Sequence, residues 1–271
     1  MVAIESGAVS VEAGVVYGRG GDTQLLCDVY RPNPATSKHT AIVHLPGGGF
    51  RRCNRAGARL ARPLAERGYV GIAAEYRVLP GGIWPNPLYD AKAAIRWTRQ
   101  HANDLGFEPE KLVILGHSAG ARLALMLAAT QNDPEFEGSG GSAGAGTQLG
   151  ACILFYPPAG ELNRHPVLGP NPSAEQVRSA DVFDKITSSY PPTQLFHGTA
   201  DSMVPVKNSL TLHKALSGVN APVELHVIEG MTHIFDAHDD LAGACAEWVD
   251  LFVDRHVVNP RTYPSTEPPA P

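Results

Sequence analysis

Short apolar runs alternate with stretches of helical periodicity through most of this 271-residue chain. That alternation predicts an α/β fold: a mainly parallel sheet with helices on both faces. Two further observations support it. Ala41-Ile42-Val43-His44-Leu45 and Lys111-Leu112-Val113-Ile114-Leu115 are continuous apolar runs rich in β-branched residues, the composition of buried strands. The second of these leads through Gly116-His117-Ser118-Ala119-Gly120 into a segment where Ala119, Leu123, Met126, Leu127 and Thr130 fall at helical spacing. Leu125 and Ala128 fill the other sides, so this helix is apolar nearly all round and central.

Taken in order, residues 23–30 read as an early strand, with Leu25, Cys27 and Val29 alternating against polar neighbours and Gly18 to Gly21 turning the chain before it. Residues 31–38 form a polar loop. The strand at 41–45 runs straight into Pro46-Gly47-Gly48-Gly49-Phe50. A helix is expected over 56–67, with Leu60, Ala61, Leu64 and Ala65 inward and Gly68 just past its end. Residues 69–75 form the next strand, and a loop rich in proline and glycine (79–87, containing Trp84) leads to a helix beginning near Asp90. After the central helix come a Gly/Ser-rich loop at 133–147 and a strand at 151–156. Residues 157–192 are proline-rich with little sustained periodicity, a small cap or a functional loop. A strand at 193–197, a helix at 206–216, a strand at 223–228 and a last helix at 239–256 complete the pattern; Leu241, Ala244, Cys245, Trp248, Val249 and Phe252 form that helix's apolar stripe. The expected organisation is one domain over 1–258 and a proline-rich tail over 259–271, with no internal repeat.

Composition narrows the function. A formal net charge of −5 with scattered basic residues argues against nucleic acid and anionic membrane surfaces. The small cluster Arg51, Arg52 and Arg55 reads as a solvated loop. Cys27, Cys53, Cys152 and Cys245 have no metal or redox spacing, and Cys27, Cys152 and Cys245 sit among apolar residues as small core side chains. The first residues lack the pattern of a signal peptide and no stretch is long enough to span a membrane, so a cytoplasmic protein is expected. The sequence leaves the oligomeric state open, a homodimer included.

Gly-x-Ser-x-Gly between a buried strand and a buried helix is the context of a nucleophile elbow, where glycines permit a turn tight enough to present one hydroxyl above the sheet. Ser118 is therefore the candidate nucleophile. The pattern occurs again at Gly140-Gly141-Ser142-Ala143-Gly144, but with no strand before it and no helix directly after it; Ser142 is set aside as part of a flexible loop. A serine hydroxyl needs a base, and the base needs a group to orient it. In open α/β sheets such groups gather beyond the carboxyl ends of strands. Asp201 follows the strand ending at His197, and His233 follows the strand ending near Ile228. Among the other histidines, His226 lies within a strand, His213 within a helix, and His44 and His197 end strands. His238, at the start of the last helix, is the rival to His233. The order serine, acid, histidine, each just beyond a strand, selects Ser118, Asp201 and His233. Charge on a tetrahedral intermediate needs preorganised N–H donors. Ala119 at a helix start and the Gly47 to Gly49 turn can supply them.

With these residues in place the chain resembles the α/β-hydrolase superfamily, in particular esterases related to hormone-sensitive lipase, acetyl esterases and feruloyl esterases. The resemblance runs from about Val16 to His256. It rests on Pro46-Gly47-Gly48-Gly49-Phe50, on Asp90-Ala91-Lys92-Ala93-Ala94-Ile95-Arg96-Trp97, on the elbow, on His197-Gly198-Thr199-Ala200-Asp201 and on Thr232-His233. It implies Gly48, Gly49 and Ala119 as the oxyanion hole. The family usually has histidine before the three glycines, where this chain has Pro46. The expected activity is hydrolysis of short or small soluble carboxylic esters through an acyl-enzyme, without metal or cofactor. Phe50, Trp84, Tyr156, Met203 and Phe235 adjoin the site loops as candidate pocket residues. The rival readings are an arylformamidase, a small serine peptidase and, from another class, a non-catalytic binding protein of the same fold.

Overall fold

The computed structural model describes residues 9–160 and 165–264. The expectations for the first eight residues, for residues 161–164 within the 157–192 segment and for the end of the tail from residue 265 lie outside them. In chain order the elements are β1 (Ser10–Gly20), β2 (Thr23–Arg31), β3 (Ala41–Leu45), α1 (Ala61–Glu66), β4 (Val70–Ala74), α2 (Asn86–Gln100), α3 (Ala102–Leu105), β5 (Leu112–His117), α4 (Ala119–Ala129), β6 (Ala151–Phe155), α5 (Ala174–Ser179), β7 (Thr193–Gly198), α6 (Lys207–Gly218), β8 (Val223–Ile228) and α7 (Asp239–Val253).

The strands form one eight-stranded sheet in the order β1-β2-β4-β3-β5-β6-β7-β8. β2 is antiparallel to both β1 and β4, and every pairing from β4 through β8 is parallel. Because successive side chains point to opposite faces, each central strand feeds two cores. Val43, Ile114 and Leu154 join α2, α4 and α6 on one face. Ile42, Val113, Ile153 and Phe196 join residues of α7, with Leu64 of α1, on the other. This is the fold class that the alternation predicts.

Three elements differ from the sequence expectation, each for a local reason. β1 carries register irregularities between Glu12 and Val15 and between Val16 and Gly18, so no steady alternation betrays it. The expected helix over 56–67 is a 3₁₀ turn at Arg55–Gly57 followed by α1. Pro63 has no N–H to donate and is tolerated only in a first turn, which sets the start near Ala61. The inner face is as read: Leu60, Ala61, Leu64 and Ala65 are all buried. α2 starts at Asn86, before Asp90, because Pro87 suits the first turn of a helix.

The described parts of the 157–192 segment are held to the body. They carry α5, opened by a capping box between Ser173 and Gln176, and 3₁₀ turns at Pro166–Leu168 and Phe183–Lys185. The buried Arg122 of α4 donates to the carbonyls of Ala159 (3.0 Å) and Ala180. Burial pulls its guanidinium down to about 10. Trp84 Nε1 donates to Ser179 Oγ at 2.9 Å.

Across the parallel strands runs a ladder of stacked rings. His117, Phe155, Phe196 and His226 are register partners on β5, β6, β7 and β8. Their ring centroids lie 4.8, 4.4 and 4.8 Å apart, and Trp248 of α7 caps the stack at 4.8 Å. Such cross-strand pairs contribute roughly 0.2–1 kcal/mol each and hold the register that aligns the strand ends. No helix among the described residues is long and apolar enough to cross a membrane.

Candidate active site

Ser118 stands where β5 gives way to α4, with φ 52° and ψ −115°. A side chain in that region is strained, and the turn holds it through close packing of backbone. A Cβ on Gly116 would stand 2.4 Å from the Gly120 carbonyl oxygen, and one on Gly120 would stand 2.1 Å from the Leu45 carbonyl oxygen. Only glycine fits at either place. The Ser118 N–H donates to the Phe155 carbonyl at 3.0 Å, tying the turn to β6.

The loops after β7 and β8 bring the other two groups to the same end of the sheet. Ala200 N–H donates to the Met231 carbonyl at 2.9 Å, and Gly230 N–H to Thr199 Oγ1 at 2.8 Å, so the two loops are laced together. His233 Nδ1 lies 2.6 Å from Asp201 Oδ2, and His233 Nε2 lies 3.0 Å from Ser118 Oγ. A carboxylate can only accept, so Nδ1 carries the proton and the Nε2 lone pair faces the serine hydroxyl. Asp201 is itself fixed: Oδ1 accepts from the N–H groups of Met203 and Val204, both at 2.9 Å. His197 braces that loop by donating through Nε2 to the Val204 carbonyl at 2.7 Å, while Nδ1 accepts from Ser209 Oγ at 2.7 Å. Burial lowers its pKa, in keeping with a neutral ring. His238 is exposed at the start of α7. His213 lies in α6, and Ser142 lies in the 133–147 loop.

The glycine loop packs beside Ser118, since a Cβ on Gly47 would stand 3.3 Å from Ser118 Cβ. Among the described residues, the backbone N–H groups of Gly48, Gly49 and Ala119 have no protein acceptor. Pro46, where the family's histidine would stand, is braced from an unexpected quarter: Tyr76 Oη donates to its carbonyl at 2.7 Å. His44 does not substitute for the family histidine. It is wholly buried, neither ring nitrogen has a partner among the described residues, and burial pushes its pKa down to about 3. Tyr76 is two residues beyond the end of β4 and carries no motif, so nothing in the sequence singles it out.

The five candidate pocket residues separate. Met203 is 72% exposed beside Asp201. Phe50 is buried next to the glycines, with its ring 5.3 Å from that of His165. Trp84 is buried under the 157–192 segment that it anchors. Phe235 is buried beside Phe155 and Tyr156. Tyr156 lies with its ring 4.3 Å from His233 and its hydroxyl donating to Asp236 Oδ1 at 2.6 Å. Asp236 is a buried carboxylate that sequence reading missed, because a lone acid after His233 has no spacing to mark it. Among the described residues no group of three or more His, Cys, Asp or Glu is arranged to hold a metal ion.

Comparison with known proteins finds relatives named as ester hydrolases. The probable carboxylic ester hydrolase LipM of Mycobacterium tuberculosis is 29% identical over 245 residues, covering 83% of this chain and 56% of LipM. The chain thus spans little more than half the length of that relative. Est2, a thermophilic esterase of Thermogutta terrifontis, superposes with a TM-score of 0.77 at 29% identity, covering 96% of each chain. Est2 is also known with propionate bound and phosphorylated by paraoxon, the latter 31% identical with a TM-score of 0.76 and covering 93% of this chain and 95% of Est2. The sequence pattern of the BD-FAE family matches residues 27–216, well over half of the chain. The chain belongs to the BD-FAE family and has the α/β-hydrolase fold.

Proposed function

We propose that the protein is a serine carboxylic ester hydrolase acting on short-chain or small soluble esters through an acyl-enzyme. The observation that carries the reading is the continuous line from Ser118 Oγ through His233 to Asp201, with contacts of 3.0 and 2.6 Å. Ser118 Oγ attacks the ester carbonyl while His233 Nε2 takes its proton. Asp201 holds the Nδ1 proton and balances the imidazolium. The new oxyanion is met by the N–H groups of Gly48, Gly49 and Ala119, the last at the positive end of the α4 dipole. Collapse of the tetrahedral intermediate expels the alcohol, which leaves with the proton from His233. A water molecule, deprotonated by the same histidine, then attacks the acyl carbonyl and regenerates the serine.

The short acyl preference is supported by Est2, whose structures hold propionate and butyrate. An apolar pocket gains about 1–3 kcal/mol for each methylene it accommodates, so a short closed pocket gives a sharp fall once it is exceeded. A p-nitrophenyl ester series from acetyl to decanoyl tests this. The expected optimum of kcat/KM lies between acetyl and butyryl. An optimum at eight carbons or more overturns the short-chain part. An absence of turnover on every ester, with no labelling of Ser118 by paraoxon, overturns the whole.

A further inference from the structure

Asp236 is a buried acid that the reaction does not use, and two of its partners, His117 and Tyr156, lead back to the site. Its side chain is fully enclosed. Oδ1 accepts from the Tyr156 hydroxyl at 2.6 Å. Oδ2 lies 3.2 Å from His117 Nε2, at ion-pair distance but off the hydrogen-bond line, and 3.5 Å from Arg59 Nη1. Burial pushes this carboxyl up, but His117, Tyr156 and Arg59 together outweigh it and hold the group well below the usual carboxylate range. Burial and the Asp236 charge push the Tyr156 phenol well above its ordinary value, so it remains a donor.

A buried carboxylate is costly unless its partners are well placed, and two of these partners, His117 and Tyr156, come from separate elements that adjoin the site. His117 ends β5 and immediately precedes Ser118. Tyr156 follows β6, and its ring meets that of His233 at 4.3 Å between centroids and 55° between planes. Asp236 itself lies three residues after His233, on the same loop. The hydrogen bond that His233 Nδ1 donates to Asp201 fixes one end of the imidazole but leaves rotation about that bond open. A ring packed against the imidazole closes that freedom. The Tyr156 ring is held at both ends, by its backbone N–H donating to the Phe196 carbonyl at 2.7 Å and by its hydroxyl on Asp236.

We propose that Tyr156 and Asp236 form a positioning pair for His233: Asp236 anchors the Tyr156 ring, and the ring sets the plane in which His233 Nε2 faces Ser118. The proposal rests on the reading of Ser118, His233 and Asp201 as the reacting groups. It also gives Tyr156 a role distinct from lining a substrate pocket.

The test uses the full chain with Tyr156→Phe, Asp236→Ala and the double variant. The readouts are kcat and KM on p-nitrophenyl acetate and the downfield proton resonance of the His233–Asp201 hydrogen bond. Tyr156→Phe keeps the ring and loses only the anchor. It is expected to lower kcat about tenfold, the scale of a sub-ångström misplacement, with KM within about twofold and the resonance broadened. The double variant is expected to fall no further than Tyr156→Phe alone, because the two residues act as one unit. Should Asp236→Ala fail to fold, Tyr156→Phe decides by itself. Unchanged kcat with an unchanged resonance overturns the proposal, as does a raised KM at constant kcat, which makes Tyr156 a pocket wall. Failure of the underlying triad reading looks different: the unmodified protein then shows neither turnover nor the downfield resonance.

Discussion

Two pentapeptides in this chain share the pattern Gly-x-Ser-x-Gly, and both place their serine at positive φ, 52° for Ser118 and 50° for Ser142. The sign of φ therefore does not distinguish them. What differs is what surrounds the glycines. Around Ser118, a Cβ on either flanking glycine would meet main-chain atoms, at 2.4 Å for Gly116 and 2.1 Å for Gly120. Around Ser142, a Cβ on Gly140 would come no closer than 3.1 Å to Ala93 Cβ, and one on Gly144 would meet nothing within 4 Å. The first turn is clamped between a strand and a helix. The second lies in a loop tied down by other means: Arg19 N–H donates to the Gly140 carbonyl at 3.1 Å, and Arg96 Nε donates to the Gly141 carbonyl at 3.1 Å. The fold requires the flanking glycines of the first pattern and not those of the second.

The sharpest way to break this comparison is to remove each hydroxyl. Ser118→Ala is expected to lower ester turnover by about 10⁴-fold or more, as removal of a nucleophile from a triad does, and to abolish phosphorylation by paraoxon. Ser142→Ala is expected to leave both unchanged. Mass-spectrometric mapping of the phosphorylated serine checks the assignment, and modification confined to Ser142 would reverse it.

How much of this was legible in the sequence follows from the same contrast. The parallel strands were visible because burial on both faces demands continuous apolar runs, as in Ala41 to Leu45 and Ala151 to Phe155. Ser118, Asp201 and His233 were visible because each lies on the loop beyond a strand, although the strand before His233 is the alternating, half-exposed edge strand β8. β1 was not legible, since its bulges break the alternation on which a strand is recognised. The 133–147 segment reads as flexible from its glycines, yet it is held by Arg96, Arg99 and Glu137, contacts that are long-range in sequence. Tyr76 and Asp236 were invisible for a related reason. Each acts through a single tertiary hydrogen bond, on Pro46 and from Tyr156, and no spacing encodes such a bond.

A smaller effect, in stability rather than activity, tests the clamp itself. Gly120→Ala and Gly116→Ala force main-chain atoms apart in a packed core, and overpacking of that kind costs about 1–3 kcal/mol, the upper end being expected where backbone must move. Gly140→Ala needs Ala93 to yield by only a few tenths of an ångström and is expected to cost no more than about 1 kcal/mol. Urea denaturation midpoints compared at constant slope read the difference. Equal losses at Gly120 and Gly140 would mean that the two turns are equally constrained, contrary to the packing distances.

Acid separates the two regions most finely, because each holds a titrating group of opposite character. Beneath the first turn, His44 stands one residue before Leu45, whose carbonyl faces Gly120. Its ring is enclosed without partners and its pKa lies at about 3, against an ordinary 6.5. Between those values the unfolded chain binds a proton that the folded chain refuses, so stability falls as pH is lowered through this window and is unaffected above it. Beside the second turn, Glu137 pairs with Lys92 and Arg96 at 2.8 and 2.7 Å. Burial opposes its charge, but Lys92, Thr147 and Arg96 hold the carboxyl below its ordinary 4.5. Its contribution is complete above that value and is lost only as pH falls further, through the folded pKa. Between pH 7 and pH 5, then, only the first region responds. Integrating the linkage for His44 over that span gives a loss of about 2 kcal/mol, which His44→Leu is expected to abolish. Denaturation curves of the parent and His44→Leu should therefore converge or cross as pH falls from 7 to 5. Curves that stay parallel would show that the folded protein accepts the proton at His44, and that the region beneath the first turn is more open to water than its packing implies.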